Sequence, residues 1–167
     1  IAILLNITPD HMDRYDYCMQ NYVDSKMRII QNQTQEDTFI YWNDDPIIKR
    51  ELEKYDIKAI QCPFSELKTR GAIGYIEEGQ YKLEKPTPFN MEQEALSLTG
   101  KHNIYNSLAA GIATNVAGIK KEVIRTSDVA SSRELWLLDE GHCFRDQMVR
   151  FCQMKSSQTS QLAYNLG

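Results

Sequence analysis

A chain of 167 residues, 42% hydrophobic and 25% charged, has the composition of a globular domain able to bury a core. Its net charge of −4 excludes the clustered basic surface of a general nucleic-acid binder, and no apolar run is long enough for a membrane span. The four cysteines (Cys18, Cys62, Cys143, Cys152) share no Cys-x-x-Cys spacing, which excludes a zinc ribbon and leaves unpaired thiols in a reducing compartment as the expectation.

Residues 1–5, Ile-Ala-Ile-Leu-Leu, form a continuous apolar run of the kind buried on both faces of a parallel sheet. No start Met, basic segment or cleavage site accompanies them, so a strand that begins in mid-protein is expected rather than a signal core. The run ends in Asn6-Ile7-Thr8-Pro9-Asp10-His11-Met12-Asp13-Arg14-Tyr15, the pattern of a strand end that delivers polar residues to a ligand crevice. Residues 17–32, with Tyr22, Val23, Met27, Ile29 and Ile30, predict a helix by length and composition. Thr-Phe-Ile-Tyr-Trp at 38–42 predicts a second strand. Asp45-Pro46 then opens a helix over 46–55, since Asp caps orphan N–H groups and Pro suits the first turn. Residues 58–62 read as a third strand.

Two short pieces, 72–77 and 80–84, split by Glu78-Gly79, predict an antiparallel hairpin within 71–88. One more strand is expected at 95–98, and a turn at Thr99-Gly100-Lys101. From His102, the spacing of Ile104, Leu108, Ala109, Ile112, Ala113, Val116 and Ala117 is helical and stops at Gly118. Ala109, Ala110, Gly111 and Ala113 let that helix approach a neighbour closely. Another helix begins in 120–126, after which the chain turns linker-like at Ser127 and of low complexity at 156–161. The fold class is α/β: a mainly parallel sheet flanked by helices, with a small antiparallel hairpin.

Asp10, His11, Asp13 and Arg14 are the first candidate constellation. An imidazole and two carboxylates at a strand end can hold Mg2+ directly or through water and orient phosphate oxygens. A capped, solvated turn accounts for the same residues. Lys26, set among apolar neighbours, either snorkels its head into water or, partly buried, loses its proton and acts chemically. His102 and Asn103, with Asn106 a helical turn on, suit hydrogen bonds to a nucleotide, or form a plain helix cap. Gly100-Lys101 is no phosphate loop, because His102 follows the lysine and Ala95 occupies the earlier glycine position. In His142-Cys143, neighbouring side chains diverge and no third partner is evident, which argues against a nucleophile pair.

The order of these words is more specific than any one of them. Leu5-Asn6-Ile7-Thr8-Pro9-Asp10-His11-Met12-Asp13-Arg14-Tyr15, Tyr22-x-x-Ser25-Lys26-x-Arg28-Ile29, Trp42-Asn43-Asp44-Asp45 and the run from Leu96 through His102-Asn103-Ile104-Tyr105-Asn106 to Ala110 together resemble the Mur ligases. The resemblance covers residues 1–125 and, through Asp10 to Tyr15, favours the branch that adds D-glutamate. It implies an ATP-dependent amide ligase of cytoplasmic cell-wall synthesis, with UDP-N-acetylmuramoyl-L-alanine and D-glutamate as partners and a monomeric parent. By the same resemblance, His11 ligates Mg2+ and Lys26 bears the family's carbamate, which turns a cation into an anionic oxygen ligand. His102, Asn103 and Asn106 are then the residues near ATP, with the asparagines closest to adenine. Asp10, Asp13 and Arg14 shape the substrate side.

The resemblance also implies an ATP-binding phosphate loop and a glutamate of the Mg2+ site ahead of Ile1, neither of which this chain contains. Residues 1–126 are therefore expected to be an incomplete central ATPase domain, inactive alone. Residues 127–167 form an atypical tail, as a frameshift or a truncated C-terminal region would give. A non-catalytic remnant or interaction module that keeps the fold without binding ATP is the competing reading. A stand-alone metal hydrolase built on Asp10, His11 and Asp13 is a third, weakened by the want of further metal ligands.

Overall fold

The computed structural model describes residues 1–93 and 101–119. Six strands form one sheet in chain order: β1 (Ala2–Leu4), β2 (Thr38–Trp42), β3 (Ile60–Leu67), β4 (Gly74–Glu77), β5 (Gln80–Leu83) and β6 (Phe89–Glu92). The first four run parallel, while β5 and β6 complete an antiparallel meander. Helices supply two of the three connections between parallel neighbours, α1 (Met19–Met27) between β1 and β2 and α2 (Pro46–Leu52) between β2 and β3, while residues 68–73 lead from β3 to β4 without one. A third helix, α3 (Lys101–Val116), follows the meander.

Side chains of a strand alternate between faces, so β2 feeds two cores. Phe39 and Tyr41 pack with Leu4, Tyr22, Val23, Met27 and Ile48 beneath α1 and α2. Ile40 packs with Phe64, Leu83, Leu108 and Ile112 beneath α3. Full burial of side chains such as Phe39, Phe64, Ile40 and Ile48 contributes about 1.5–3 kcal/mol each. The small residues of α3 act as expected, with Ala109, Ala110 and Ala113 buried. Gly74 lies under the same helix: a Cβ there would stand 2.9 Å from Ile112 Cδ1 and 3.1 Å from Leu83 Cδ2, so the tips of those side chains would have to shift.

Three expectations are adjusted. The helix expected over 17–32 is α1 followed by a 3-10 turn at Arg28–Ile30, because Asp16 and Tyr17 are both left-handed and reverse the chain before Cys18. The third strand runs through Pro63 to Leu67. Pro63 is tolerated because its carbonyl faces β4, accepting from Ile73 N–H at 2.8 Å. Its missing N–H faces the same way, just before β4 begins, and no β2–β3 bond is lost. Finally, β6 lies at 89–92, where Phe89 and Met91 alternate inward. The hairpin itself is as expected, with Glu78 and Gly79 both at positive φ in the two-residue turn. The strand expected at 95–98, the helix start at 120–126, the pair His142-Cys143 and the tail at 127–167 lie outside the described residues; of the turn expected at 99–101 only Lys101 is described, and it already belongs to α3.

Candidate active site

The carboxyl ends of β1, β2 and β3 lie side by side, and the candidate residues gather along this edge. Asp45 builds its frame. At the end of β2 its Oδ1 accepts the N–H groups of Ile47 and Ile48, capping α2, while its Oδ2 accepts the N–H of Ile7 at 2.9 Å. One buried carboxylate thereby fixes the course of the chain as it leaves β1.

Beyond Ile7 the chain becomes exposed and turns sharply. His11 sits at φ 47°, and Asp16 and Tyr17 at φ 54° and 53°. Non-glycine residues in the left-handed region are uncommon, though His and Asp are among the types that adopt it. Here the turn's own backbone bonds (Arg14 N–H to His11 O, Tyr17 N–H to Met12 O and Cys18 N–H to Tyr15 O) close it. Between them Met12–Tyr15 form a 3-10 turn. The His11 imidazole is about half exposed, and its Nε2 is 3.6 Å from Asp10 Oδ2. Asp10 Oδ1 also accepts the His11 N–H at 2.9 Å. Asp13 and Arg14 project from the same turn into solvent.

An aromatic column joins this turn to Lys26. Tyr15 meets Tyr22 edge to face at 5.1 Å, and the Lys26 Nζ lies 5.3 Å from the centre of the Tyr22 ring. Lys26 is half-buried on α1. A ring face attracts a cation here and gives a firm wall for the lysine stem. Tyr15, in the turn that carries Asp13 and Arg14, thus touches Tyr22, and Tyr22 touches Lys26; both tyrosines stand inside the words that carried the resemblance.

His102, Asn103 and Asn106 occupy the first turns of α3, at the same sheet edge but over the opposite face. His102 is exposed, and the two asparagines are half-buried. What anchors them is Tyr105. Its ring stacks on Trp42 with centres 4.4 Å apart and planes at 26°, and its hydroxyl donates to Glu66 Oε2 at 3.1 Å. Asp44 ties the same corner, accepting from Glu66 N–H at 2.7 Å and from Trp42 Nε1–H at 3.2 Å. Burial, with the carboxylates of Glu66 and Asp44 beside it, pushes the Tyr105 phenol up to about 12. Trp42, Glu66 and Tyr105 were not among the candidates, although Trp42 and Tyr105 stand inside the words that carried the resemblance.

Among the described residues, no three His, Cys, Asp or Glu side chains converge as a metal-holding group. The fit for Mg2+ is therefore that of a partial shell. His11 and a modified Lys26 would supply two positions, and water or phosphate oxygens the rest, which suits a cation that dehydrates reluctantly.

The family model described as Mur ligase middle domain matches residues 1–114. The chain belongs to the Mur ligase family, and the sheet and helices described above are those of its middle domain. Within the family it is similar to the D-glutamate ligases (MurD). It is 64% identical over 125 residues to the UDP-N-acetylmuramoylalanine--D-glutamate ligase of Bacteroides fragilis, and equally so to that of Bacteroides thetaiotaomicron. The enzyme of the same name from Porphyromonas gingivalis is 44% identical over 128 residues. Each alignment takes in 75% of this chain, which spans 28% of the length of these relatives. A solved UDP-N-acetylmuramoyl-L-alanyl-D-glutamate--2,6-diaminopimelate ligase shares the fold, with a TM-score of 0.56 and 20% identity over 74% of this chain and 27% of its own.

Proposed function

We propose that this chain is part of an ATP-dependent ligase that joins D-glutamate to UDP-N-acetylmuramoyl-L-alanine in peptidoglycan synthesis. The observation that carries the reading is the similarity of the chain to ligases of that name; the contacts of Tyr15 with Tyr22 and of Tyr22 with Lys26, in the segment that follows β1, support it. In such a reaction the acceptor carboxylate attacks the γ-phosphorus of ATP and ADP leaves. The amine of D-glutamate then attacks the acyl phosphate, loses a proton, and phosphate departs.

On this reading His11 and Lys26 hold Mg2+. Bound Mg2+ neutralises crowded phosphate oxygens. Lys26 reaches this role by adding CO2 to its neutral amine with loss of a proton, which leaves an anionic carbamate oxygen. In the unmodified chain its Nζ lies over the Tyr22 ring at 5.3 Å, beside which the carbamate would form. Asp10 orients the imidazole of His11, and Asp13 and Arg14 face the substrate side of the turn. His102, Asn103 and Asn106 bind the nucleotide, the asparagines offering both donors and acceptors to the adenine edge. The cytoplasmic setting and a monomeric parent are parts of the same proposal.

The test is Lys26→Ala in the protein expressed from the complete reading frame that encodes this chain. ATP-dependent ligation should fall by about 100-fold, the upper range for lost support of a metal site, and recover in part when short carboxylic acids are added. A variant as active as the parent would rule out the role given to Lys26.

A further inference from the structure

The corner formed by Trp42, Asp44, Glu66 and Tyr105 carries none of the roles described so far, yet three hydrogen bonds and a ring stack tie it together. Tyr105 is almost fully buried at the start of a helix, where exposure is usual, and its ring and hydroxyl contact two different strands. The strands are tied in turn by Asp44 and by the Asn43 N–H, which donates to Phe64 O at 2.8 Å. A hydrophobic contact alone would not need the hydroxyl or the carboxylate. Together these contacts fix both the tilt and the rotation of the first turns of α3.

Tyr105 lies three residues after His102, two after Asn103 and one before Asn106. Rotation of α3 about its axis would move all three together. We propose that the Trp42–Tyr105 stack, latched to Glu66, is a positioning device that sets His102, Asn103 and Asn106 for nucleotide binding and leaves the chemical step untouched. Tyr105 and Trp42 are positioning residues, and the inference rests on the ligase reading. The prealigned helix saves the nucleotide from ordering it on arrival, so the benefit appears in affinity.

The experiment measures nucleotide dissociation constants by calorimetry, and KM for ATP and kcat by phosphate release, for the protein of the complete reading frame and for Tyr105→Phe, Glu66→Gln and Trp42→Ala. Tyr105→Phe keeps the stack and removes only the hydroxyl, so it remains informative if Trp42→Ala fails to fold. The expected result is about a three- to tenfold rise in Kd and in KM for ATP with Tyr105→Phe, roughly the net worth of one ordinary hydrogen bond, with kcat within about twofold. Glu66→Gln should move the same way by less, and Trp42→Ala by more. Unchanged nucleotide affinity in Tyr105→Phe, with or without a lower Tm, would overturn the proposal and reduce the corner to scaffolding. A fall in kcat at unchanged KM would overturn it too. If the unsubstituted protein binds no nucleotide, the ligase reading itself fails, and that outcome is distinct from the other two.

Discussion

Asp45 uses both carboxylate oxygens on backbone amides from two elements, the start of α2 and the exit of β1. Asp45→Ala would remove a helix cap and leave the buried Ile7 N–H without an acceptor, costing about 2–4 kcal/mol in a urea melt. Asp45→Asn retains one carbonyl oxygen and should cost less. A loss below about 0.5 kcal/mol in the alanine variant would contradict this account of the β1 exit. At Tyr105 burial and the neighbouring Glu66 favour the neutral phenol, with a folded value of about 12 against 10 unfolded. The stabilisation is therefore complete below pH 10 and lost as pH rises toward 12. Difference absorbance between the parent and Tyr105→Phe should show one phenol that ionises near pH 12. One that ionises near 10 would mean that the ring is open to water.

Between α1 and α2, Glu51 is fully buried, with Lys54 Nζ at 2.7 Å and Arg50 Nη2 at 2.9 Å from its oxygens and Gln20 of α1 reaching toward it at 3.5 Å. Burial pushes its carboxyl up, but hydrogen bonds from Lys54 and Arg50 outweigh this and hold it below 4.5. The stability it contributes is present above pH 4.5 and is lost as pH falls through the lowered folded value. Both bases are more than half exposed, so solvent screens them, and Glu51→Gln should cost only about 1–2 kcal/mol at neutral pH. Acid melts of the two proteins should then converge once pH has fallen through that lowered folded value, and a separation that persists to the acid end of the melts would exclude the ionic origin. At the end of α3, Gly118 (φ 74°) donates to Asn115 O and Ile119 to Thr114 O, a Schellman stop. Gly118→Ala should cost about 1 kcal/mol through the left-handed backbone.

Elements were legible in the chain wherever local chemistry agreed with the tertiary setting. Thr38–Trp42 has β-branched and aromatic residues on both faces, and Gly118 can end a helix by itself. The continuation of β3 was hidden by Pro63, whose tolerance depends on where β4 begins. Phe89–Glu92 alternates over only four residues after Pro86 and Pro88, too short a signal beside two prolines. The left-handed pair Asp16-Tyr17, which delays α1, contains no glycine to announce it.

On the scale of the whole molecule, parallel strands bring their carboxyl ends to one edge, the crossover helices α1 and α2 cover one face, and α3, after the meander, covers the other. That topology explains how residues 10–26 and 102–106 reach the same edge although a meander separates them in sequence. The candidate residues were legible because polar groups follow an apolar strand or open a helix. Their supports were not, since Tyr105, Trp42 and Glu66 meet only through the fold, and composition gives a buried tyrosine no mark that sets it apart from core. The arrangement predicts that two sets of side chains, one per face, act on a single ligand assembly. The most direct test is phosphate release by the protein of the complete reading frame, with ATP, UDP-N-acetylmuramoyl-L-alanine and D-glutamate each omitted in turn. The account predicts sustained release only when all three are present. Release from ATP alone at the full rate, or none with all three, would contradict it.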